Sequence, residues 1–352
     1  MSRDALQPEW LAMEVKSDYL SENKDFEKFL SNVSDNTGRR NMETWFNNLR
    51  DNRELFKTTG WATDNLQGKH KDKTAIIMGA SPAIKSQIET LKGLQDDNDF
   101  VLCGLSSNLE FLLSNGIQPK YIITVDGDVS QGEFFDTIDM DKTKDIVLIA
   151  NLFAYPPMLK KWKGPLYFLA LQTADKKFER KQRKWFGPEN GIGNGFPSLM
   201  AQFNIITAVA YLILECKIIL FVGHELSFKD DDSKYYADRV DPRDTDKRYP
   251  HGDIHGNMVK TTPDLLAVKY TLEGFLEVIS KAGWFFNCTE AGIFGITKRF
   301  PDRHVPWIQQ LTLKNGIAQA RHIMRTGEPF YAYKRDSVVT VPNVLSRVSL
   351  MR

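Results

Sequence analysis

The apolar positions of this chain fall into two regimes. Up to about residue 72 they recur at helical intervals among charged residues, as with Trp45, Leu49 and Leu55, and no run suits a buried strand. That spacing predicts a helical N-terminal extension over 1–72, packed on the core formed by the rest of the chain. At Thr74 short, uninterrupted apolar runs begin. TAIIM, FVLCGLSS (100–107), YIITVDGD (121–128), IVLIANL (146–152), LYFLAL (166–171), KIILFVGHELS (217–227) and WFFNCTEAG (284–292) each read as a strand with a turn at its end. Between them stand helical stripes such as Ile84, Ile88, Leu91 and Leu94, and a long helix from Leu199 to Cys216. Strands apolar on both faces and alternating with helices predict an α/β fold, a mainly parallel sheet with helices on both faces. Residues 229–264 are polar and turn-rich and read as a long loop over the sheet edge. A helix over Leu265–Ala282 comes next, and the tail from 301 to 352 is mixed and mostly helical.

Composition narrows the class. With 352 residues and 42% hydrophobic content, a large core and about two domains are expected. Lys+Arg 46 against Asp+Glu 45 leaves a net charge of +1, which calls for neither nucleic acid nor an anionic membrane. Cys103, Cys216 and Cys288 are far apart in apolar runs and read as buried free thiols of a reducing compartment, without metal-ligand spacing. The first twenty residues lack the apolar core of a signal peptide, and the apolar stretch from Ile205 to Gly223 is interrupted by Thr207, Glu215 and Lys217. A cytoplasmic protein with no membrane span is expected.

In parallel sheets ligands bind beyond the carboxyl ends of the strands, and here those ends are rich in Gly, Ser, Asn, Asp and His. Gly79-Ala80-Ser81-Pro82 leads from a strand into a helix, where backbone N–H groups suit a nucleotide phosphate; a plain tight turn is the alternative. Asp126-Gly127-Asp128 offers two carboxylates for a magnesium ion or a ribose, or is a solvated turn. Gly193, Asn194, Gly195 and Ser198 in GIGNGFPS permit close backbone approach to a ligand. The basic run KKFERKQRK (176–184) just upstream suits a polyphosphate or an acidic acceptor, with an exposed helix face as the plainer reading. His224-Glu225 follows a strand and is a candidate acid–base pair, although neighbouring residues of a strand point to opposite faces. His251 and His255 lie in HGDIHGN, where the glycines favour a loop and hence substrate contact or proton transfer over metal. Asn287, Thr289 and Glu290 again fall at the ligand edge, while His70, His304 and His322 read as packing or surface histidines.

Taken in order, IIMGASP, GLSSNLEFLLSNGIQPKYIITVDGD, GNGFPS, KIILFVGHELSF, SKYYAD, HGNMVKTT and FFNCTEAGIFG resemble the MptE-like family, which includes the motility accessory factor (Maf) flagellin glycosyltransferases. The resemblance covers about residues 72–296 and implies a Rossmann-like transferase domain over 73–300, between the extension and the C-terminal segment. It implies Gly79, Ser81 and Pro82 at a nucleotide, Asn108 and Asp126 in the donor pocket, and Gly193, Asn194, Gly195 and Ser198 around the phosphate, with Asp128 kept beside Asp126 as a nucleotide-binding candidate. His224, Glu225 and Ser227 then fall at the donor–acceptor junction, with Asn287 and Glu290 on the far wall. The chain departs from the Maf pattern, which usually has Gln-Asp at His224-Glu225 and often a His where SKYYAD offers Tyr235 or Tyr236. Tyr235 and His255 are therefore added as candidate catalytic groups.

The function so implied is a nucleotide-dependent transferase. The leading expectation is a glycosyltransferase that uses a CMP-activated acidic, sialic-acid-like sugar and an acceptor of unknown identity, with no required cofactor. The alternative is a magnesium-dependent 6-hydroxymethylpterin diphosphokinase-like enzyme with Asp126 and Asp128 on the metal; the other is a non-catalytic binding or assembly protein on the same fold. A homo-oligomer formed through the N-terminal helices stays open.

Overall fold

The computed structural model describes residues 41–173, 175–187, 196, 199, 201–228, 248–296 and 304–330. Its strands are β1 (Thr74–Met78), β2 (Phe100–Leu105), β3 (Tyr121–Thr124), β4 (Val147–Asn151), β5 (Leu166–Leu169), β6 (Ile218–Val222), β7 (Tyr249–Gly252), β8 (Met258–Thr261), β9 (Trp284–Asn287) and β10 (Gln309–Gln310). Eight form one sheet in the order β10-β9-β6-β1-β2-β3-β4-β5. Its pairings are parallel, for instance Ile76 with Leu220 and Ile149 with Tyr167. The strands TAIIM and IILFV are buried at every position, as a sheet covered on both faces requires. The order reverses at β1: β2 to β5 lie on one side, β6, β9 and β10 on the other. This is a Rossmann-like α/β fold.

The chain forms two compact units. Among the described residues, the first takes those up to Lys69 and within Cys103–Glu215; the second takes His70–Leu102 and those from Cys216 onward. In the first unit, residues 41–51 and the helices Arg53–Thr59 and Ala62–Leu66 join the core of β3, β4 and β5. Asn48 and Asn52, one helical turn apart, point the same way. Asn48 Nδ2 donates to the carbonyls of Gly127 (2.8 Å) and Phe153 (3.1 Å), and Asn52 Nδ2 to those of Leu152 (2.8 Å) and Ala154 (2.9 Å). These carbonyls lie in the turns after β3 and β4 and have no ladder partner, so the asparagines supply the donors that burial demands. Trp45 stacks on Phe153 at 4.4 Å and fills the space beside them.

The long helix expected from Leu199 to Cys216 is helical over Gln202–Leu212. It ends before Glu215, whose φ of 62° no helix accommodates. Nearly all of its residues are buried, and Thr207 is tolerated because its hydroxyl donates to Phe203 O at 2.8 Å.

In the second unit the stripe after β1 starts as a 3-10 turn, Pro82–Gln87, before the α-helix Ile88–Lys92. Gln87 is drawn inward, its amide donating to Cys288 O at 2.5 Å and to Glu290 Oε1 at 3.2 Å. The expected loop over 229–264 is corrected in its described part, because β7 and β8 form an antiparallel hairpin. Asp253 shapes its tip by accepting from His255 N (2.9 Å) and Asn257 N (2.8 Å). Helix Pro263–Ile279 comes next and buries a complete ion pair: Lys269 Nζ lies 2.8 Å from Glu273 Oε2, with both side chains 0% exposed. Glu273 Oε1 accepts from Gly295 N at 2.8 Å, which ties the pair to the loop after β9.

Candidate functional site

Because β1 and β6 mark the strand-order reversal, the crevice outside their carboxyl ends is where an open α/β sheet receives a ligand. Both ends belong to the second unit. Gly79 N donates to Val222 O (2.8 Å) and Ser81 N to Gly223 O (3.1 Å), so the two turns run on together past the strands. Gly223 has φ 62°, and a Cβ there would stand 2.9 Å from Gly79 O; only glycine gives this approach.

Around the crevice the predicted residues divide. The Glu225 carboxylate turns back on the first loop and accepts from Ala83 N at 2.5 Å, while Glu225 N donates to Ser81 Oγ at 3.2 Å. A side-chain carboxylate thus holds a backbone N–H of the turn for which a phosphate was expected. His224 goes elsewhere: its N–H donates to Thr289 Oγ1 at 3.1 Å and its ring meets Phe294 edge-on at 5.1 Å. Burial pushes its imidazole pKa down to about 3, so the ring is neutral at neutral pH. His224 and Glu225 thus turn to different partners, Thr289 and Phe294 for the first and the Ser81–Ala83 turn for the second. Ser227 is buried in the same turn, and Leu226 carries φ 55°, unusual for a bulky side chain.

Beyond β9, Asn287 is buried and engaged on both sides: Nδ2 donates to Phe294 O (3.0 Å) and Gln310 Oε1 (2.9 Å), and Oδ1 accepts from Thr289 N (3.1 Å). Glu290, exposed and at φ 63°, is a hub. Its carboxylate accepts from Leu313 N (2.9 Å), capping helix Leu313–Thr326, and from Gln87. Its carbonyl accepts from His255 Nε2 at 2.9 Å. A carbonyl can only accept, so Nε2 carries the proton and, in the neutral ring, Nδ1 carries the lone pair. His255 is exposed at the hairpin tip, where Ile254 N also donates to Gly292 O (2.9 Å).

A second group of predicted residues lies in the first unit. Asn108 is fully buried and its Oδ1 accepts from Leu105 N at 2.9 Å. Asp126 and Asp128 are exposed beyond β3. Gln202 bridges Ser106 and Asp126, accepting from Ser106 Oγ (2.9 Å) and donating to Asp126 Oδ2 (3.4 Å). Hydrogen bonds from the Ser130 side chain and backbone hold the Asp128 carboxyl below its usual range. Asn151, at the end of β4, donates to Val125 O (3.2 Å), and its buried Oδ1 has no hydrogen-bond partner among the described residues. Tyr235, Gly193, Asn194, Gly195 and Ser198 lie outside the described residues.

Several participants escaped the sequence reading: Asn48, Asn52, Gln87, Asn151, Gln202 and the pair Lys269–Glu273. One of them carried a usable signal. Helix Pro263–Ile279 is mostly apolar, so a Lys and a Glu four residues apart within it were candidates for a buried pair.

The strand reversal with polar turns at its carboxyl edge defines a Rossmann-like α/β protein. Residues 43–231 match the family described as 6-hydroxymethylpterin diphosphokinase MptE-like, and the chain belongs to that family. Among solved structures it is similar to the Maf glycosyltransferase from Magnetospirillum magneticum AMB-1, with a TM-score of 0.52 and 14% identity. That likeness is one of fold; it covers 77% of this chain and 43% of that one, so the present chain spans less than half of that protein's length. No curated protein matches the sequence. Among the described residues, no helix is long and apolar enough to cross a membrane.

Proposed function

We propose that this protein is a nucleotide-dependent group transferase whose donor binds at the β1/β6 reversal. The observation that carries the reading is the pair of turns Gly79–Ser81 and Gly223–Glu225 at that reversal, in a chain of the MptE-like family. Within this class, transfer of a CMP-activated acidic sugar to an acceptor hydroxyl is the first reading, supported by the fold shared with a Maf glycosyltransferase. His255 is the group we assign to proton transfer. It is exposed, its Nε2–H is anchored on Glu290 O, and Nδ1 is the basic nitrogen. His224, neutral and packed on Phe294, orients the turn instead.

A second reading is favoured by Asp126 and Asp128. Both are exposed carboxylates, and Asp128 is held anionic, which suits a magnesium ion shared with the phosphates of ATP in diphosphate transfer to a pterin-like alcohol. These are hard oxygen donors, so the residues fit the metal; bound there, it would neutralise phosphate charge. The two readings separate in one thermal-shift panel with CMP, CTP, ATP and GMP, each with and without magnesium. Stabilisation by CMP or CTP without metal supports the sugar transferase. Stabilisation by ATP only with magnesium supports diphosphate transfer, and no shift with any nucleotide refutes both in favour of a non-catalytic binding protein.

A further inference from the structure

Helix Lys176–Phe186, the basic run of the sequence, belongs to the first unit and lies outside the residues assigned above to donor binding and proton transfer. Asp175 caps its start by accepting from Lys177 N (2.6 Å) and Phe178 N (3.0 Å). Its inner face is Phe178, Glu179, Gln182 and Phe186, all buried. Its outer face carries Lys176, Lys177, Arg180, Lys181, Arg183 and Lys184, all exposed. At 3.6 residues per turn these cations cover an unbroken arc of roughly 160° and run for about 12 Å along the axis. The helix's acid, Glu179, is buried and held by Lys176 and Thr173 N. Among the described residues Lys177, Arg180, Arg183 and Lys184 form no ion pair. In a chain of net charge +1, that is a strong local segregation of charge.

We infer that this face is a docking surface for an acidic polypeptide segment. A single nucleotide is met by one or two cations, whereas six spread over such a length match a polymer with repeated anions. The two rows Lys176–Arg180–Arg183 and Lys177–Lys181–Lys184 repeat at three and four residues, the interval at which carboxylates recur on one face of a partner helix. Nucleic acid fits less well. Trp185, the half-buried ring of this face, is already engaged by Lys181 at 4.7 Å and Arg53 at 5.4 Å, so a stacking base would compete with two cations. The helix is also flanked, through Phe46 on Phe178 (4.8 Å) and Phe56 on Phe186 (5.0 Å), by helices carrying the exposed acids Glu43 and Glu54. A bilayer is disfavoured because the apolar side of the helix is already used in the core.

Within the first unit the surface starts beside Asp126-Gly127-Asp128. Trp45, stacked on Phe153, lies 6.2 Å from Phe178, and a Cβ at Gly127 would stand 3.1 Å from Trp45, so one layer of rings separates the first basic turn from Asp126-Gly127-Asp128. The docking surface does not depend on which group is transferred.

The test is fluorescence anisotropy of a labelled oligoglutamate with the full chain, compared with duplex DNA, single-stranded RNA and anionic vesicles. Binding to oligoglutamate that weakens as salt rises is expected. The variant Lys177→Gln/Arg180→Gln/Lys184→Gln is expected to weaken it about tenfold with an unchanged melting temperature. The control Lys69→Gln/Lys71→Gln/Lys120→Gln is expected to bind as the parent does. The inference is overturned by absent or salt-insensitive binding, by equal loss in the control, by full binding in the first variant, or by tighter binding to nucleic acid or vesicles.

Discussion

Replacing Glu273 with Gln keeps the shape of the side chain, and its amide oxygen still accepts from Gly295 N, but the charge that faces Lys269 is removed. The pair is wholly buried with a separation of 2.8 Å, so the ammonium is left in the core without its carboxylate. Such a break costs about 3–5 kcal/mol. The helix itself contributes little to the pair, since a Lys preceding a Glu at i,i+4 is the weaker order. Lys269→Met leaves the opposite problem, a buried carboxylate without its cation, and is expected to be destabilised as well. The double variant Lys269→Met/Glu273→Gln carries neither charge and is expected within about 1–2 kcal/mol of the parent. Urea unfolding followed by circular dichroism at pH 5 and pH 7 gives all four corners of the cycle. A double variant less stable than both single ones, or a Glu273→Gln cost under about 1 kcal/mol, refutes the reasoning.

Three further outcomes are dictated by the geometry. Asn48→Ala and Asn52→Ala each withdraw a donor from two buried carbonyls, and each is expected to cost about 1–3 kcal/mol in thermal unfolding; unchanged melting would show that water replaces the amide. Gly127→Ala puts a Cβ 2.6 Å from Phe153 O and 2.8 Å from Asn48 Nδ2, so a loss of about 1–3 kcal/mol is expected, and a melting temperature equal to the parent's contradicts it. His224 titrates near pH 6.5 when unfolded but only at about 3 when folded. The unfolded chain therefore binds more protons between those values; stability is complete above pH 6.5 and falls on acidification, by roughly 2 kcal/mol at pH 5. His224→Gln should flatten the curve over that window, and parallel curves for parent and variant would count against the depressed pKa.

The strands that were legible in the sequence are those buried on both faces. TAIIM and IILFV are apolar at every position because no face of β1 or β6 meets water. The hairpin of β7 and β8 was not legible, since YPHG and MVKT show neither an apolar run nor a clean alternation, and their order rests on the turn made by Asp253. β10, two glutamines long, has no pattern to read. The strand ends drew attention to the carboxyl edge of the sheet, but not to what each polar side chain does there. Glu225 and Glu290 look like ligand-binding acids in the sequence, yet both carboxylates accept from backbone N–H groups. Asn48 and Asn52 look like any polar residues of an amphipathic helix. Their partners lie 79 to 105 residues away, and such distance leaves no local trace.

All three cysteines of the chain are buried, Cys103 in the first unit and Cys216 and Cys288 in the second. Burial raises the thiol pKa of Cys216 to about 12 and that of Cys288 still further, so neither offers thiolate to a reagent in water. Cys288 is also closed in by the chain, with the backbone of Gly316 so near that a Cβ there would stand 2.5 Å from the sulfur. With no surface thiol to react first, alkylation of the native protein is a clock for opening. Mass analysis of the modified cysteine tells which unit opened, so the rates for Cys103 and Cys288 compare the local stability of the two units without any added label.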